Sequence, residues 1–264
     1  MRSQVLVFSI ALITFCSCNK KPSKALVGSN EGTLTHYEDF ESEFIRSRNV
    51  DVWLPKSYDK NKQYQVLYMH DGQNIFNSAT SYGGESWEVD KTIQKLIDKK
   101  RIEPTIVVGI WNTRDRTIEY TPNAVYNLLS DSFKQIMSHE KRISEEPRAD
   151  NYLKFVVEEL KPFIDEQFST KKDVEHTFIS GSSMGGLISL YALLQYPGVF
   201  NGAACVSTHW PLSLKQNHND YRIAFESFIK AKASSIENKK LYCDYGTETL
   251  DDWYEPHQIA IDSI

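Results

Sequence analysis

The stretch Val174-Glu175-His176-Thr177-Phe178-Ile179-Ser180-Gly181-Ser182-Ser183-Met184-Gly185-Gly186-Leu187-Ile188-Ser189-Leu190-Tyr191 decides the fold. Its entry is β-branched and aromatic. Its exit carries apolar residues at 187, 188, 190, 191 and 194, which is helical spacing, and Pro197-Gly198 stops the helix. Between them stands Gly181-x-Ser183-x-Gly185, the pattern of a sharp strand-to-helix turn. A serine at such a turn has its hydroxyl lifted into a cleft and its backbone strained, so small residues must sit two positions to either side. The N–H of Met184 would then point at a reacting oxygen, and the new helix would aim its positive end there. A phosphate cradle is the rival reading of strand, glycine-rich loop and helix. No Lys-Ser/Thr pair follows these glycines and their spacing is not G-x-G-x-x-G, which counts against it. Ser183 is the nucleophile candidate; Ser180 and Ser182 lack glycines at the right offsets.

A chain of 264 residues suits one large α/β domain with a substantial core. The net charge of −5 and pI of about 5.8, with no basic stripe, argue against a nucleic-acid partner. At the start, Arg2 supplies a positive end and Val5 to Phe15 is an apolar run too short to be a permanent membrane span. The run ends in Phe15-Cys16-Ser17-Cys18-Asn19, which resembles the lipobox of bacterial lipoproteins with Cys18 as the lipid attachment residue. A plain signal peptide cleaved near Ser17 is the alternative. Both readings make the protein exported, periplasmic or at the cell surface, and an acyl group on Cys18 would tether it to the membrane without spanning it. Residues 1–18 thus read as leader, 19–32 as a flexible tether with three lysines, and 33–264 as the folded domain. Cys205 and Cys243 lie in apolar runs and read as small core residues on neighbouring strands. There is no zinc spacing.

Along the domain, Phe44 to Arg48 and Val50 to Pro55 read as paired strands, and Tyr64 to Met69 as a buried central strand ending at His70-Asp71-Gly72-Gln73-Asn74. Ser86 is placed to cap a helix from Trp87 to about Asp98. Pro104 to Ile110 is the next strand, and the long polar stretch from Trp111 to about Asp150 reads as a functional lid. A helix from Tyr152 to Gln167 precedes the strand and helix around Ser183. Gly202 to Ser207 and Lys240 to Asp244 are further strands, with helices within His218 to Ile236 and from Asp251 onward. Alternation of this kind implies a mostly parallel, doubly wound sheet.

Acyl transfer at a serine needs a base, an acid that orients it and two donors for the oxyanion. Met184 N–H is one donor. The backbone of Gln73 is the best-placed second, because Gly72 lets it approach closely. His70-Asp71 reads as a hydrogen-bonding pair at a strand end. Trp111, Arg116, Glu119, Tyr120, His209 and Trp210 would surround the cleft mouth as substrate-binding residues, aromatic rings suiting sugar or phenolic groups; core packing explains each equally well.

Five segments carry a resemblance: Tyr68 to Asn74; Gly109-Ile110 with Arg116-x-x-Glu119-Tyr120-Thr121-Pro122; Gly181 to Gly186; Ser207-Thr208-His209-Trp210; and Asp244-Tyr245-Gly246-Thr247 with Leu250-Asp251. They span Phe40 to the C-terminus in family order. By them the chain resembles the esterase-D-like branch of the α/β-hydrolases, which includes feruloyl, acetyl-xylan and enterochelin-type esterases and mycolyltransferases. The resemblance implies an α/β-hydrolase fold and a serine carboxylesterase acting on carbohydrate- or siderophore-linked acyl or aryl esters, without metal or organic cofactor. It makes Ser183 the nucleophile and Gln73 with Met184 the oxyanion hole. The acid then lies just beyond Gly246-Thr247, Asp251 being the first choice and Glu248 the second, while Asp244 braces the turn.

In that fold the histidine follows the acid on a later loop. Here only His257 follows Asp251, on the same helix, so the sequence reads as lacking the last strand, the histidine loop and the closing helix. Impaired hydrolysis is the expectation. A non-catalytic carbohydrate- or siderophore-binding lipoprotein on the same scaffold is the alternative, and acyl transfer to an acceptor other than water a third.

Overall fold

The computed structural model describes residues 23–29, 31–140, 143, 145–213 and 219–264. Cys18 and the apolar run before it lie outside the described residues. Among the described residues eight strands form one sheet: β1 (Ser23–Ser29), β2 (Gly32–Phe40), β3 (Arg48–Leu54), β4 (Gln65–His70), β5 (Thr105–Ile110), β6 (Thr177–Ser182), β7 (Gly202–Val206) and β8 (Lys240–Cys243), in the order β1-β2-β3-β5-β4-β6-β7-β8. The β1-β2, β2-β3 and β3-β5 pairs are antiparallel. All pairs from β5 across to β8 are parallel. The helices are α1 (Val89–Asp98), α2 (Arg116–Glu119), α3 (Asn123–Tyr126), α4 (Asp131–His139), α5 (Ala149–Lys154), α6 (Lys161–Gln167), α7 (Met184–Gln195), α8 (Asp220–Lys232) and α9 (Glu255–Asp262).

A strand side-chain period of two sends alternate residues to opposite faces. Val66 and Tyr68 of β4, with Ile106, Val108 and Ile110 of β5, join the main core beneath Leu187, Ile188, Leu190 and Leu194 of α7. Leu67, Met69 and Val107 face the other way and meet Val89, Ile93 and Ile97 of α1. Buried on both faces, these strands read as continuous apolar runs, as parallel strands do. The fold is therefore the doubly wound α/β arrangement that the alternation of elements predicts.

Four local expectations are corrected. Residues 23–29, placed in the tether, form β1, which pairs antiparallel with Gly32 to Glu38 of β2 as the first ladder of the sheet. Phe44 to Ser47 is not a strand, and only Arg48 of that run joins one, as the start of β3: Ser42 Oγ accepts from Phe44 N at 3.0 Å and Ile45 N at 3.2 Å and bends the chain locally instead. Trp87 lies in irregular backbone before the helix, its N–H bonded to Asn74 O at 2.8 Å, and α1 starts only after Glu88 in a left-handed conformation. Most consequentially, the stretch from Trp111 to Asp150 is not an open loop. It holds α2, α3 and α4 and buries Val125, Tyr126, Leu129, Phe133 and Met137 in the main core. Their spacing is helical, and burial of that stripe outweighs the polar composition around it.

Candidate active site

Ser183 is the hinge between β6 and α7, at φ 59° and ψ −119°. A non-glycine residue rarely holds a positive φ, and such strain persists only where the surroundings over-determine it. Ser183 N donates to Val206 O at 2.9 Å, while Ser183 O accepts from Gly186 N at 3.0 Å and His209 N at 3.3 Å. The flanking glycines are needed for space. A Cβ on Gly181 would stand 2.7 Å from the carbonyl carbon and oxygen of Gly185, and one on Gly186 would collide with Thr208 Oγ1. Ser183 itself is half-buried at the C-terminal end of the parallel strands, where open α/β sheets bind ligands.

The loop carrying Gln73 reaches the same place. β4 lies parallel to β6 with Met69 opposite Ser180, so the residues after each strand emerge side by side. Gly72 lets the loop lie on β5, since a Cβ there would come within 2.6 Å of Gly109 C. A Cβ on Gly185 would come within 3.4 Å of Asp71 Oδ2 and 3.5 Å of His70 Cβ, so the first turn of α7 rests on the His70-Asp71 pair. Met184 and Gln73, the expected oxyanion donors, therefore sit on adjoining turns. Gln73 O accepts from Thr80 Oγ1 at 2.7 Å, and its Oε1 accepts from Asn112 N at 3.2 Å.

His70 is fully buried with Nδ1 2.7 Å from Tyr152 Oη, and burial pushes its pKa down to about 3. A neutral, enclosed imidazole has a structural part to play at this strand end. The Asp71 carboxylate accepts from Arg116 Nε at 2.7 Å, Arg116 Nη2 at 2.8 Å and Asn112 Nδ2 at 2.5 Å.

Residues expected at the cleft mouth divide. Trp111 is half-buried and donates through Nε1 to Asp51 Oδ2 at 2.6 Å, and Arg116 keeps 29% of its side chain exposed while clamping Asp71. Three others turn inward. Glu119 is 1% exposed and holds the equally buried Arg48 in a two-pronged ion pair at 2.7 and 3.1 Å. Tyr120 is wholly buried, its hydroxyl accepting from Asp71 N at 3.3 Å, and burial raises its pKa well above the ordinary value. Trp210 is wholly buried, donating through Nε1 to Gln258 Oε1 at 2.8 Å and packing edge-on against Phe225. These three therefore serve the core; their place after strand ends suggested the cleft, but long-range partners draw them in. His209 is almost enclosed, with Nδ1 bonded to Tyr254 Oη.

On the acid side, Asp251 Oδ2 accepts from Ser207 Oγ and lies against Gly246. Asp244 braces the turn, as its position in the sequence suggests: Oδ1 accepts from Ser207 N at 2.7 Å. Glu248 is exposed. His257 is 3% exposed on α9, and burial, followed by the Arg222 charge, keeps its pKa below the ordinary histidine value. Asn112 and Tyr254 carry no signal in the sequence beyond lying next to a strand end or a short helix, and Ser207 stands out only as part of the Ser207 to Trp210 segment, with no role attached; their contacts link segments far apart in the chain.

The family model described as "Putative esterase" matches residues 42–257. An endo-1,4-beta-xylanase/feruloyl esterase of Xylanibacter ruminicola is 26% identical over 193 residues, covering 70% of this chain and 23% of that protein. The ferri-bacillibactin esterase BesA of Bacillus subtilis is 24% identical over 176 residues, covering 65% of this chain and 58% of the relative. The aligned region thus spans well under two thirds of either curated relative. Among solved structures, the BES protein from Bacillus cereus superposes with a TM-score of 0.59 at 17% identity, over 99% of this chain and 85% of that one. A strained serine between a parallel strand and its helix, a second backbone turn packed beside it, and a family match across most of the domain converge: the chain belongs to the esterase family of the α/β-hydrolases.

Proposed function

We propose that this chain is a serine carboxylesterase that uses Ser183 on acyl or aryl esters attached to carbohydrate or to a siderophore. Ser183 Oγ attacks the ester carbonyl, the Gln73 and Met184 N–H groups take up the negative charge on its oxygen, and the alcohol or phenol departs to leave an acyl-enzyme. Water then attacks the acyl carbon and returns Ser183 with release of the acid. The observation that carries the reading is the Ser183 backbone at φ 59° and ψ −119°, strain that serves to present a hydroxyl. The substrate class is supported by the feruloyl and siderophore esterases among the relatives.

Asp251 is the proposed acid, held on the loop after β8 by Ser207. Among the described residues no histidine ring is bonded to Asp251, and His70, His209 and His257 are all buried. Turnover by the 264-residue polypeptide should therefore be slow; the oxyanion hole and binding alone leave roughly 10³–10⁴-fold over water. Mass spectrometry after incubation with an aryl acetate tests this: an acetyl adduct on Ser183 supports it, and an unmodified Ser183 with turnover from another residue contradicts it. The enclosed histidines also favour a second reading, a binder that keeps the cleft without the chemistry. Ligand binding with no adduct would decide for that reading.

We further propose export and acylation at Cys18. Cys18→Ser should release the protein from the membrane fraction; continued sedimentation with membranes would count against the anchor.

A further inference from the structure

We infer that Asp71, clamped by Arg116 and Asn112, is a positioning residue that holds the two oxyanion turns in register, and that Arg116 serves this clamp rather than the substrate. The inference rests on the esterase reading above. Three segments meet on one carboxylate. The first is its own turn: Asp71 stands at φ 58° and ψ 45° immediately before Gly72-Gln73, so its conformation sets where the Gln73 amide points. The second is the segment after β5, which supplies Arg116 Nε and Nη2 and Asn112 Nδ2. The third is the first turn of α7, for Gly185, next to Met184, approaches the carboxylate closely enough that a Cβ would sit 3.4 Å from Oδ2. Both Asp71 oxygens hold protein donors and its side chain is 3% exposed, so it has no geometry for attacking or shuttling a proton.

The clamp is doubled. Asn112 holds the Asp71 carboxylate with its side chain and the Gln73 side chain with its backbone N–H, the latter at 3.2 Å. Arg116 offers Asp71 a two-point contact, the geometry a guanidinium makes best, and its remaining face lies over the Tyr120 ring at 5.0 Å. A cation engaged on two sides has little left for a substrate carboxylate or phenolate. A left-handed aspartate before a tight turn is strained, and the donors converging on it keep it there.

The test uses the full chain and a fluorophosphonate probe, read as a limiting rate of Ser183 modification and a half-saturating probe concentration. A displacement of about 1 Å at reacting groups costs on the order of 10²-fold in rate, so Arg116→Ala should lower the limiting rate by up to about that factor. The half-saturating concentration should stay nearly constant, and added guanidinium should restore part of the rate. Asn112→Ala, which leaves the ion pair intact, should show a smaller loss of the same kind and guards against a folding defect in Arg116→Ala. A rise in half-saturating concentration at unchanged limiting rate would make Arg116 a substrate ligand and overturn the inference alone. Unchanged parameters in both variants would overturn it too. Failure of the unmutated protein to react at Ser183 would instead remove the esterase reading, and the inference with it.

Discussion

Ser183 can hold its left-handed backbone because Gly181 and Gly185 pass each other with no room for a side chain. Gly181→Ala drives a Cβ into backbone rather than into a movable side chain. It should cost about 1–3 kcal/mol in denaturant unfolding and abolish Ser183 labelling. This feature was legible because it is local: strand, glycine, serine, glycine and helix lie within a few residues. Arg116, Glu119 and Tyr120 were not, because their partners Asp71 and Arg48 lie 45 or more residues away in the chain. A charged or aromatic residue after a strand end looks the same in sequence whether it faces a ligand or locks a turn. His70 adds a pH signature. Its folded pKa of about 3 lies below the ordinary 6.5, so the unfolded chain takes up the proton first. Its contribution to stability is complete above pH 6.5 and is lost as pH falls toward 3, with a slope of up to about 1.4 kcal/mol per pH unit. Unfolding titrations should show a shallower acid slope in His70→Asn.

The stretch between β5 and α5 shows how an element escapes a composition-based reading. Polarity made it look like a lid, yet Phe133 and Met137 of α4 are buried with Val125 and Leu129, and Ser130 Oγ caps the helix by accepting from Phe133 N at 3.3 Å. α2 is fastened separately: the Arg48–Glu119 pair joins it to β3 with both side chains essentially without exposure. Removing one partner of such a pair leaves an uncompensated buried charge. Glu119→Ala should therefore cost about 3–5 kcal/mol, measured by denaturant unfolding, while Glu119→Gln should cost less. If Glu119 were instead a substrate ligand on the surface, its replacement would leave stability unchanged.

At the scale of the whole molecule, the alternating pattern was enough to give the parallel block from β5 to β8, since parallel strands require crossover helices. The antiparallel edge was harder to read, because β1 has only Ala25-Leu26-Val27 as an apolar run between Ser23-Lys24 and Gly28-Ser29, too short to stand out from the polar stretch around it, and β2 is the strand it pairs with. At the other edge, β8 leaves Leu241 and Tyr242 46% and 56% exposed beside a groove of about 350 Å³ that Leu67, Phe178 and Ile93 of α1 also line. Exposed apolar edges promote association. Sedimentation should show concentration-dependent self-association of the 264-residue chain that Leu241→Glu weakens. The claim on which the rest stands is that the crest between β6 and α7 presents a reactive hydroxyl, and peptide mapping after fluorophosphonate treatment tests it most directly. A single phosphonyl adduct on Ser183 that disappears in Ser183→Ala is the expected result; an adduct that persists in that variant, or none in the unmutated chain, would contradict a reactive hydroxyl at this crest.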